Sequence, residues 1–266
     1  MTVQSPAVQL RTNRRQSSGI KATQYLLTLA TAMALWALVT YAGWVSDQTL
    51  ATPAQVLSAF RSLSAAGEVW PQLLTTLSRI LLAFVMGCIL GIPLGGVLYR
   101  FRGLESALGP YLAASYSVPL VVFYPFLIVL LGINDWPVVL LTAVTTTIPI
   151  ALNSAQGLRA APRVFLHIAQ AFEFPASVVF RKVLLPSAWP DVLAGMKLSM
   201  VYSVVGVVSM EFIAANSGLG NRIQYYYEAF NVPSMYVFIA LTLLLAGVCV
   251  SVLLLLEELT MSGRRR

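Results

Sequence analysis

Six long runs of apolar residues constrain the fold of this chain more than any other feature. They cover residues 22–45, 80–99, 106–134, 137–158, 192–210 and 231–256. A helix crosses a bilayer with about 20 mostly apolar residues, and each run is about that long or longer. Charged residues make up only 10% of the sequence, far below the roughly 25% of soluble domains. We therefore expect an all-α membrane protein with six transmembrane helices.

Basic residues in the connecting segments predict the orientation of these helices. One alternate set of segments holds most of the 17 basic residues: Arg11, Arg14, Arg15, Lys21, Arg100, Arg102, Arg159, Arg163, Arg181, Lys182, Arg264, Arg265 and Arg266. The other set holds only Arg61 and Arg222. Cytoplasmic loops carry the excess of Lys and Arg, so both termini are expected in the cytoplasm. The predicted division is a basic tail at 1–21, a transmembrane domain at 22–258 and a basic tail at 259–266.

Missing motifs exclude several functions. The single histidine, His167, cannot form a bis-histidine haem site or a histidine-rich metal site, and no metal site is predicted. No lysine follows the pattern of a G-x-x-x-x-G-K-[ST] phosphate loop, so we expect neither ATP hydrolysis nor a cofactor on this chain. Cys88 and Cys249 lie within apolar runs, where free, buried side chains are expected. The basic residues lie in short blocks between the runs, which argues against a nucleic-acid partner.

Ionisable residues are rare inside the apolar runs. No Asp or Glu lies in the middle of a run, although ion-coupled carriers usually place such residues there. Arg79 and Lys197 lie close to the ends of runs and are predicted to extend to the membrane surface. If this chain is a transporter, we therefore expect another protein to supply the energy.

Glycines and prolines within the runs predict close helix contacts and bends. Four glycines leave one face of the second run smooth: Gly87, Gly91, Gly95 and Gly96. Such a face suits packing against another helix of the chain or against a second copy. Four prolines lie inside runs: Pro93, Pro119, Pro125 and Pro149. They are interpreted either as bends required by packing or as part of a pathway.

The cytoplasmic segment 159–186 carries the most specific pattern. Pro162 favours the start of a short helix, and Ala169 lies on the small apolar face of that helix. Pro175 ends it, and a second short helix is predicted up to Pro186. A pair of short helices with a small-residue face is suited to contact a groove on another protein.

This segment resembles the EAA loop of the permeases of ATP-binding-cassette importers. The loop of that family ends in I-x-L-P, which aligns with Pro186. The closing alanine of the family's E-A-A then falls on Ala169, its glutamate on His167 and its glycine on Glu173. His167 and Glu173 are therefore departures from the family pattern. Because the family's glycine permits the turn between two coupling helices, we expect Pro175 to make that turn here.

Glu173 leaves two interpretations open. An exposed carboxylate in a loop usually contributes little, so it can be a solvated surface group. Alternatively, it pairs with Arg181, with Lys182 or with a basic residue on the ATPase, and so replaces the glutamate that the family has at His167.

Further matches to the same family extend over most of residues 50–256. They lie at 52–56, 78–79, 91–95, 117–119, 124–125, 131–133, 149–153, 157–159, 193–198, 210–211 and 217–220. The resemblance is strongest to permeases for aliphatic sulfonates, taurine and nitrate, with thiamine-precursor permeases nearby. It implies the six-helix type I importer permease fold, which is called MetI-like.

The resemblance also implies functional residues and partners. Contact with the ATPase is implied for His167, Ala169, Gln170, Ala171, Phe172, Glu173, Phe174, Pro175, Arg181 and Pro186. A translocation pathway or gate is implied for Pro119, Tyr124, Pro125, Met210, Glu211, Ser217 and Gly218. The implied partners are a second copy of the chain, two cytoplasmic ATPase subunits that hold ATP and Mg²⁺, and an extracytoplasmic substrate-binding protein. The implied location is the bacterial inner membrane.

Two other classes of function remain open from the residues alone. A secondary carrier or channel is expected to show an intramembrane acid or an inverted repeat, and neither is visible. A membrane anchor without a transport role would not need a segment such as 159–186. The substrate is open as well, because Arg222 and the tyrosines at 225–227 could meet an organic anion or anchor the chain at the membrane interface.

Overall fold

The computed structural model describes residues 27–28, 30–31, 33–43, 49–115 and 120–262, and the regular structure in these residues is helical. Helix α1 covers residues 33–41. The elements that follow are α2 (Pro53–Ala65), α3 (Val69–Arg100), α4 (Arg102–Ala114), a 3₁₀ turn (Leu120–Phe123), α5 (Tyr124–Leu131), α6 (Trp136–Arg159), α7 (Arg163–Ala171), α8 (Ala176–Val179), a π turn (Phe180–Leu184), α9 (Leu185–Ala214), α10 (Leu219–Glu228) and α11 (Val232–Ser262). The predicted basic tail 1–21 and the arginines at 264–266 lie outside the described residues.

Four helical stretches are long and apolar enough to cross a membrane: Val69–Arg100, Trp136–Arg159, Ala176–Glu228 and Val232–Thr260. They coincide with the second, fourth, fifth and sixth predicted runs. The first run, 22–45, lies partly outside the described residues, so its span stays a prediction.

The third predicted run, 106–134, differs from a single spanning helix. Helix α4 ends at Ala114, and a 3₁₀ turn then precedes the eight residues of α5. Pro125 occupies the first turn of α5, where its missing N–H is not needed. Gly132 ends α5 with φ of +79°, a conformation that glycine adopts without steric penalty. Pro125 therefore favours the start of α5, and Gly132 ends it.

Helix α2 begins with a reciprocal cap that the sequence pattern Thr-Pro-Ala-Gln provides. The side chain of Thr52 accepts a hydrogen bond from the Gln55 N–H (3.3 Å), and Gln55 Oε1 accepts one from the Thr52 N–H (2.8 Å). Pro53 follows at the first helical position. This capping box satisfies two backbone donors that would otherwise lack partners.

Helices α3 and α6 pack side by side through three glycines four residues apart: Gly87, Gly91 and Gly95. An added Cβ would lie 2.2 Å from Thr146 Oγ1 at Gly87, and 2.5 Å from Ser154 Cβ at Gly95. The contacted residues of α6 advance in the same direction, so the two helices run parallel. Packing within one chain accounts for these three glycines, whereas a Cβ at Gly96 would meet open space.

Helix α9 lies at the centre of the bundle and contacts α3, α6, α10 and α11. Ser199 Oγ donates to the carbonyl oxygen of Thr146 on α6 (2.6 Å). Ser203 Oγ donates to the carbonyl oxygen of Ile80 on α3 (2.9 Å). Small hydroxyl residues of this kind join apolar helices without exposing a polar group to lipid.

The polar groups within the other spans follow the predictions in part. Cys88 is half-buried and Cys249 is buried, and both are free thiols as expected. Lys197 does not extend alone to the membrane surface, because its Nζ pairs with Glu257 on α11 (2.8 Å). The acid that satisfies Lys197 follows the last apolar run directly, so the pair could not be recognised from the run itself.

Contacts between connecting segments sort the bundle into two ends. Glu68 and Arg222, both in segments predicted to be external, form an ion pair of 3.2 Å. Glu105 and Arg159, both in segments predicted to be cytoplasmic, also pair. The chain therefore folds with the predicted external segments together and the cytoplasmic ones together. We call these the outer end and the inner end.

Candidate coupling and translocation sites

The buried Arg79 is the centre of a polar cluster near the outer end of α3, in which Glu211 is also buried and Asp135 is exposed. Its guanidinium donates to Asp135 from Nε (2.9 Å) and from Nη2, and to Glu211 Oε1 from Nη1 (2.7 Å). It also donates to the carbonyl oxygen (2.7 Å) and to Oγ (2.8 Å) of Ser217. All five N–H groups of the guanidinium therefore have an acceptor. With Thr76, these residues form the outer polar cluster (Thr76, Arg79, Asp135, Glu211 and Ser217).

Glu211 connects the outer polar cluster to α10. Its Oε2 accepts hydrogen bonds from Thr76 Oγ1 (2.8 Å) and from the backbone N–H of Gly220 (3.1 Å). Gly220 lies in the first turn of α10, where free N–H groups and the helix dipole favour a negative charge. The Glu211 side chain is fully buried and that of Arg79 is 5% exposed. An unpaired charge in such a place would cost several kcal/mol, so each depends on the other.

Two glycines give the Glu211 carboxylate its space. Gly218 has φ of +105°, and a Cβ there would lie 2.2 Å from the carboxyl carbon of Glu211. A Cβ at Gly220 would lie 2.4 Å from the carbonyl oxygen of Val208. The Ser-Gly-Leu-Gly pattern after α9 therefore has a physical cause: a larger residue at either glycine would displace the buried acid or α10.

The prediction that Arg79 extends to the membrane surface is wrong. Its side chain points into the bundle, where Glu211 lies 132 residues away in sequence. Glu211 was predicted on the translocation pathway, but its partner was not recognised because no acid lies near Arg79 in sequence. The available signal was the position of Asp135 and Glu211, which adjoin the outer ends of two apolar runs.

A cavity of about 170 Å³ lies between α6, α9 and the segment that contains the 3₁₀ turn. Four of its lining residues carry hydroxyl groups: Ser115, Thr145, Tyr202 and Ser209. Met210, predicted on the pathway, also lines it and directly precedes Glu211. No lining residue is charged. Among the described residues, no three His, Cys, Asp or Glu side chains lie close enough to hold a metal ion.

Helix α7, at the inner end, has two apolar faces. Leu166 and the buried Ala169 face the chain, where Leu166 packs against a cluster that includes Leu158 and Leu184. A second face carries four exposed apolar residues: Val164, Phe165, Ile168 and Phe172. We call these four residues the inner apolar face. Clustered exposed apolar side chains mark a surface that another molecule covers.

Ala169 was predicted to contact the ATPase in a groove, and this contact stays a prediction. Its side chain is only 5% exposed because it faces the chain itself. Phe172 remains a candidate contact, with 72% of its surface exposed. Val164, Phe165 and Ile168 were not among the predicted site residues, although their helical spacing is visible in the sequence. The EAA pattern favours small residues and does not include these three.

The turn after α7 lies at Glu173 rather than at Pro175. Glu173 has φ of +50°, the left-handed conformation that usually requires glycine. Its N–H donates to the Gln170 carbonyl (3.0 Å) and the Phe174 N–H donates to the Ala169 carbonyl (3.0 Å), which is a Schellman ending. The backbone thus keeps the turn that the family's glycine permits, while Pro175 precedes α8. Among the described ion pairs, none includes Glu173.

The remaining predicted residues lie around these sites. The exposed ones in the cytoplasmic segment are His167, Gln170, Ala171, Phe174, Pro175 and Arg181, while Pro186 is half-buried in the first turn of α9. At the start of α5, Tyr124 is buried and Pro125 is exposed. Pro119 lies outside the described residues.

The fold defines a class: a multi-helix membrane protein with an exposed apolar face at its inner end. Residues 83–259 match the family model of the binding-protein-dependent transport system inner membrane component. The chain belongs to this family, the inner-membrane permease subunits of ATP-binding-cassette importers.

Individual relatives show which permeases of this family the chain is similar to. The chain is 27% identical over 217 residues to a putative aliphatic sulfonates transport permease protein of Bacillus subtilis. The alignment covers 82% of this chain and 78% of the Bacillus protein. The chain is also 27% identical over 186 residues to the taurine transport system permease protein of Escherichia coli, in an alignment that covers 70% of this chain and 64% of the Escherichia coli protein. An inward-facing structure of the MetNI methionine ABC transporter superposes with a TM-score of 0.58 at 23% identity, over 67% of this chain and 89% of that one. This likeness shows the MetI-like fold that was predicted.

Proposed function

We propose that this permease forms the translocation pathway for a small organic or inorganic anion of the sulfonate, taurine or nitrate kind. The observation that carries the proposal is the cavity against α9, whose lining offers hydroxyl groups on an apolar wall. Two of these hydroxyls, those of Ser115 and Thr145, donate to backbone carbonyl oxygens of their own helices at 2.6 and 2.7 Å. A hydroxyl can rotate to donate instead to a sulfonate or nitrate oxygen that enters the cavity. The relatives named for aliphatic sulfonates and taurine support the same substrate class.

The cavity within a single chain has room for a small substrate. Its volume is about 170 Å³, below the roughly 300–1,000 Å³ of typical pockets for drug-sized ligands. A substrate of a few heavy atoms, such as taurine or nitrate, suits this space. The absence of a fixed charge on its lining also favours weak, transient contact, which a pathway needs for release.

The proposed assembly contains two copies of this chain, two cytoplasmic ATPase subunits and an extracytoplasmic substrate-binding protein. ATP and Mg²⁺ would be held by the ATPase subunits, so this chain would have no catalytic residue. The inner apolar face supports contact with the ATPase, because it presents Phe165, Ile168 and Phe172 together at the inner end. Interfaces are enriched in such aromatic anchors.

The cytoplasmic segment 159–186 would transmit motion from the ATPase to the pathway. Helix α8 continues through the π turn into α9 as one helical stretch over residues 176–214. A displacement beside α7 would therefore reach the α9 residues that line the cavity. ATP binding can favour one state of the pathway only if the ATPase contacts the inner apolar face differently in the two states.

Transport in proteoliposomes tests this proposal. The permease is reconstituted with its own ATPase and binding protein, and ATP-dependent uptake of taurine, an alkylsulfonate, nitrate and a formylaminopyrimidine is measured. Uptake of one of the three anions is expected. Uptake of the pyrimidine alone would contradict the proposed substrate class, and uptake without ATP would contradict the proposed mechanism.

A matched pair of α6 variants tests whether the cavity is used. Thr145 lines the cavity and Thr147 does not, although both side-chain hydroxyls donate to a carbonyl oxygen of α6 at 2.7 Å. Replacing Thr145 by Val should raise the KM for the transported anion about fivefold, since one hydrogen bond contributes about 1 kcal/mol. Thr147→Val should leave KM unchanged. Equal KM values in the two variants would place the pathway elsewhere.

A further inference from the structure

Helix α10 lies at the outer end and lacks an N-terminal cap of its own. Its N-cap residue is Gly218, which has no side chain to accept a hydrogen bond. The first N–H groups of the helix are instead bound by side chains of other helices. Thr76 Oγ1 accepts from Leu219 N–H (2.8 Å), and Glu211 Oε2 accepts from Gly220 N–H (3.1 Å). The start of α10 is therefore fixed to α3 and α9.

The other end of α10 is fixed as well. The Tyr226 hydroxyl donates to the Glu68 carboxylate (3.0 Å), at the residue that precedes α3. The Tyr226 ring also stacks on Phe238 of α11, with the ring centroids 5.7 Å apart. Held at both ends, α10 leaves Tyr225 and Tyr227 more than half exposed. These two tyrosines form an aromatic surface at the outer end.

Glu211, which accepts a hydrogen bond from the start of α10, is adjacent in sequence to a residue that lines the cavity. Met210 lines the cavity, and Glu211 is the next residue of α9. Arg79 restrains Glu211 and Ser217 at the same time, at 2.7 Å each. A shift of the outer end of α9 would therefore carry the start of α10 with it.

We propose that Thr76, Arg79 and Glu211 are positioning residues that make α10 move with the outer end of α9, so that the tyrosine surface of α10 and the cavity respond to each other. This inference rests on the proposed function, because it takes the extracytoplasmic binding protein as the partner of the tyrosine surface. Exposed tyrosines on a rigid helix suit such a partner, since they bury a large area with little loss of side-chain entropy. Docking on α10 would then bias the position of α9 at the cavity.

Hydrogen exchange on the complete importer complex tests the attachment. Thr76→Val removes the hydroxyl that joins Leu219 to Glu211, whereas Thr76→Ser keeps it. We expect the Leu219 and Gly220 amides to exchange about tenfold faster in Thr76→Val and at the parent rate in Thr76→Ser. Glu211→Gln keeps the shape of the side chain and removes its charge, and we expect it to accelerate the exchange of the same amides. It provides an independent test if Thr76→Val fails to fold. Unchanged exchange in Thr76→Val and Glu211→Gln would overturn the inference.

A second readout separates positioning from a purely structural role. It is the ratio of ATP hydrolysis with and without the substrate-loaded binding protein. We expect this ratio to fall several-fold in Thr76→Val and to keep its parent value in Thr76→Ser. Faster amide exchange with an unchanged ratio would mean that the attachment is only structural, and it would refute the inference while leaving the proposed function intact. A parent complex that the binding protein does not stimulate would instead refute the proposed function, and the inference with it.

Discussion

The two ends of this permease treat polar and apolar side chains in opposite ways. At the outer end, the outer polar cluster buries Arg79 and Glu211 and supplies every guanidinium donor with an acceptor from the same chain. At the inner end, the inner apolar face leaves side chains such as Phe165 and Phe172 more than half exposed. The outer end buries the charges of Arg79 and Glu211, and the inner end exposes apolar side chains.

This difference shows which side chains are satisfied within the chain and which need another molecule to cover them. A buried ion pair must be satisfied internally, because a missing partner leaves an unpaired charge. An exposed apolar cluster has the opposite requirement, since its contact with water is removed only when another molecule covers it. The outer polar cluster is therefore satisfied within one chain, whereas the inner apolar face is shielded from water only when another molecule covers it.

The largest expected effect tests which end is outside, and its result is all or none. In a variant without the native cysteines, cysteines are placed at Ala54, Tyr227, Arg102 and Pro175. A membrane-impermeant maleimide added to intact cells should label positions 54 and 227 and should not label 102 or 175. Gly218 is unsuitable as a reporter because a Cβ there meets the Glu211 carboxyl group at 2.2 Å. External labelling at 175 would reverse the two ends.

Removal of Arg79 tests whether the outer end is a closed unit. Arg79→Ala leaves the Glu211 carboxylate buried without its cation, and it should lower the free energy of unfolding by about 3–5 kcal/mol. The matched control is Arg181→Ala at the inner end, where the side chain is exposed and the expected change is within about 0.5 kcal/mol. Unfolding in detergent micelles measures both. Equal values would show that the outer polar cluster contributes no special stability.

Variants at two neighbouring residues of α7 test which face of this helix contacts the ATPase. Ile168→Asp places a charge on the inner apolar face and should weaken binding of the ATPase by about 2 kcal/mol, roughly thirtyfold, with unchanged stability of the isolated permease. Ala169→Asp places the charge against the chain itself and should destabilise the isolated permease. Affinity for the ATPase and unfolding in detergent are measured for both variants. Undisturbed ATPase binding by Ile168→Asp would show that the partner does not cover this face.

The smallest expected effect concerns the turn at Glu173. Glu173→Gly should stabilise the permease by about 1 kcal/mol, because glycine adopts a positive φ without the steric penalty of a Cβ. Glu173→Gln should leave the stability unchanged. If the charge contacts the ATPase, both variants should also reduce binding-protein-stimulated ATP hydrolysis. Full hydrolysis in both would leave Glu173 as a solvated group that happens to occupy a strained turn.

The sequence predicted those parts of the fold that depend on local composition. Long apolar runs predicted the four helices that are long enough to cross a membrane, and they did so because apolar length is a property of one segment. The third run, 106–134, could not be predicted in detail from composition alone. Pro125 favours the start of α5 and Gly132 ends it through backbone conformation, which a count of apolar residues does not include.

The sites were predicted less completely because they depend on contacts between distant segments. The pairing of Arg79 with Glu211 joins α3 to α9, and no local pattern links the two residues. Ala169 was singled out because of a motif, yet only the packing of α7 against the bundle decides which of its faces is exposed. The conformation at Glu173 illustrates the same limit, since the backbone kept a turn after the residue that usually makes it had been replaced.

The glycine contacts between α3 and α6 have a mechanical consequence. A Cβ added at Gly95 would lie 2.7 Å from the Ala151 carbonyl oxygen of α6, so the two helix backbones pack closely together. They would tilt as one rod, and 24 residues of α6 correspond to about 36 Å at about 1.5 Å per residue. A tilt of about 5° around one end of such a rod displaces the other end by about 3 Å. A small angular change beside the ATPase would thus become a displacement of atomic size on the opposite side of the membrane.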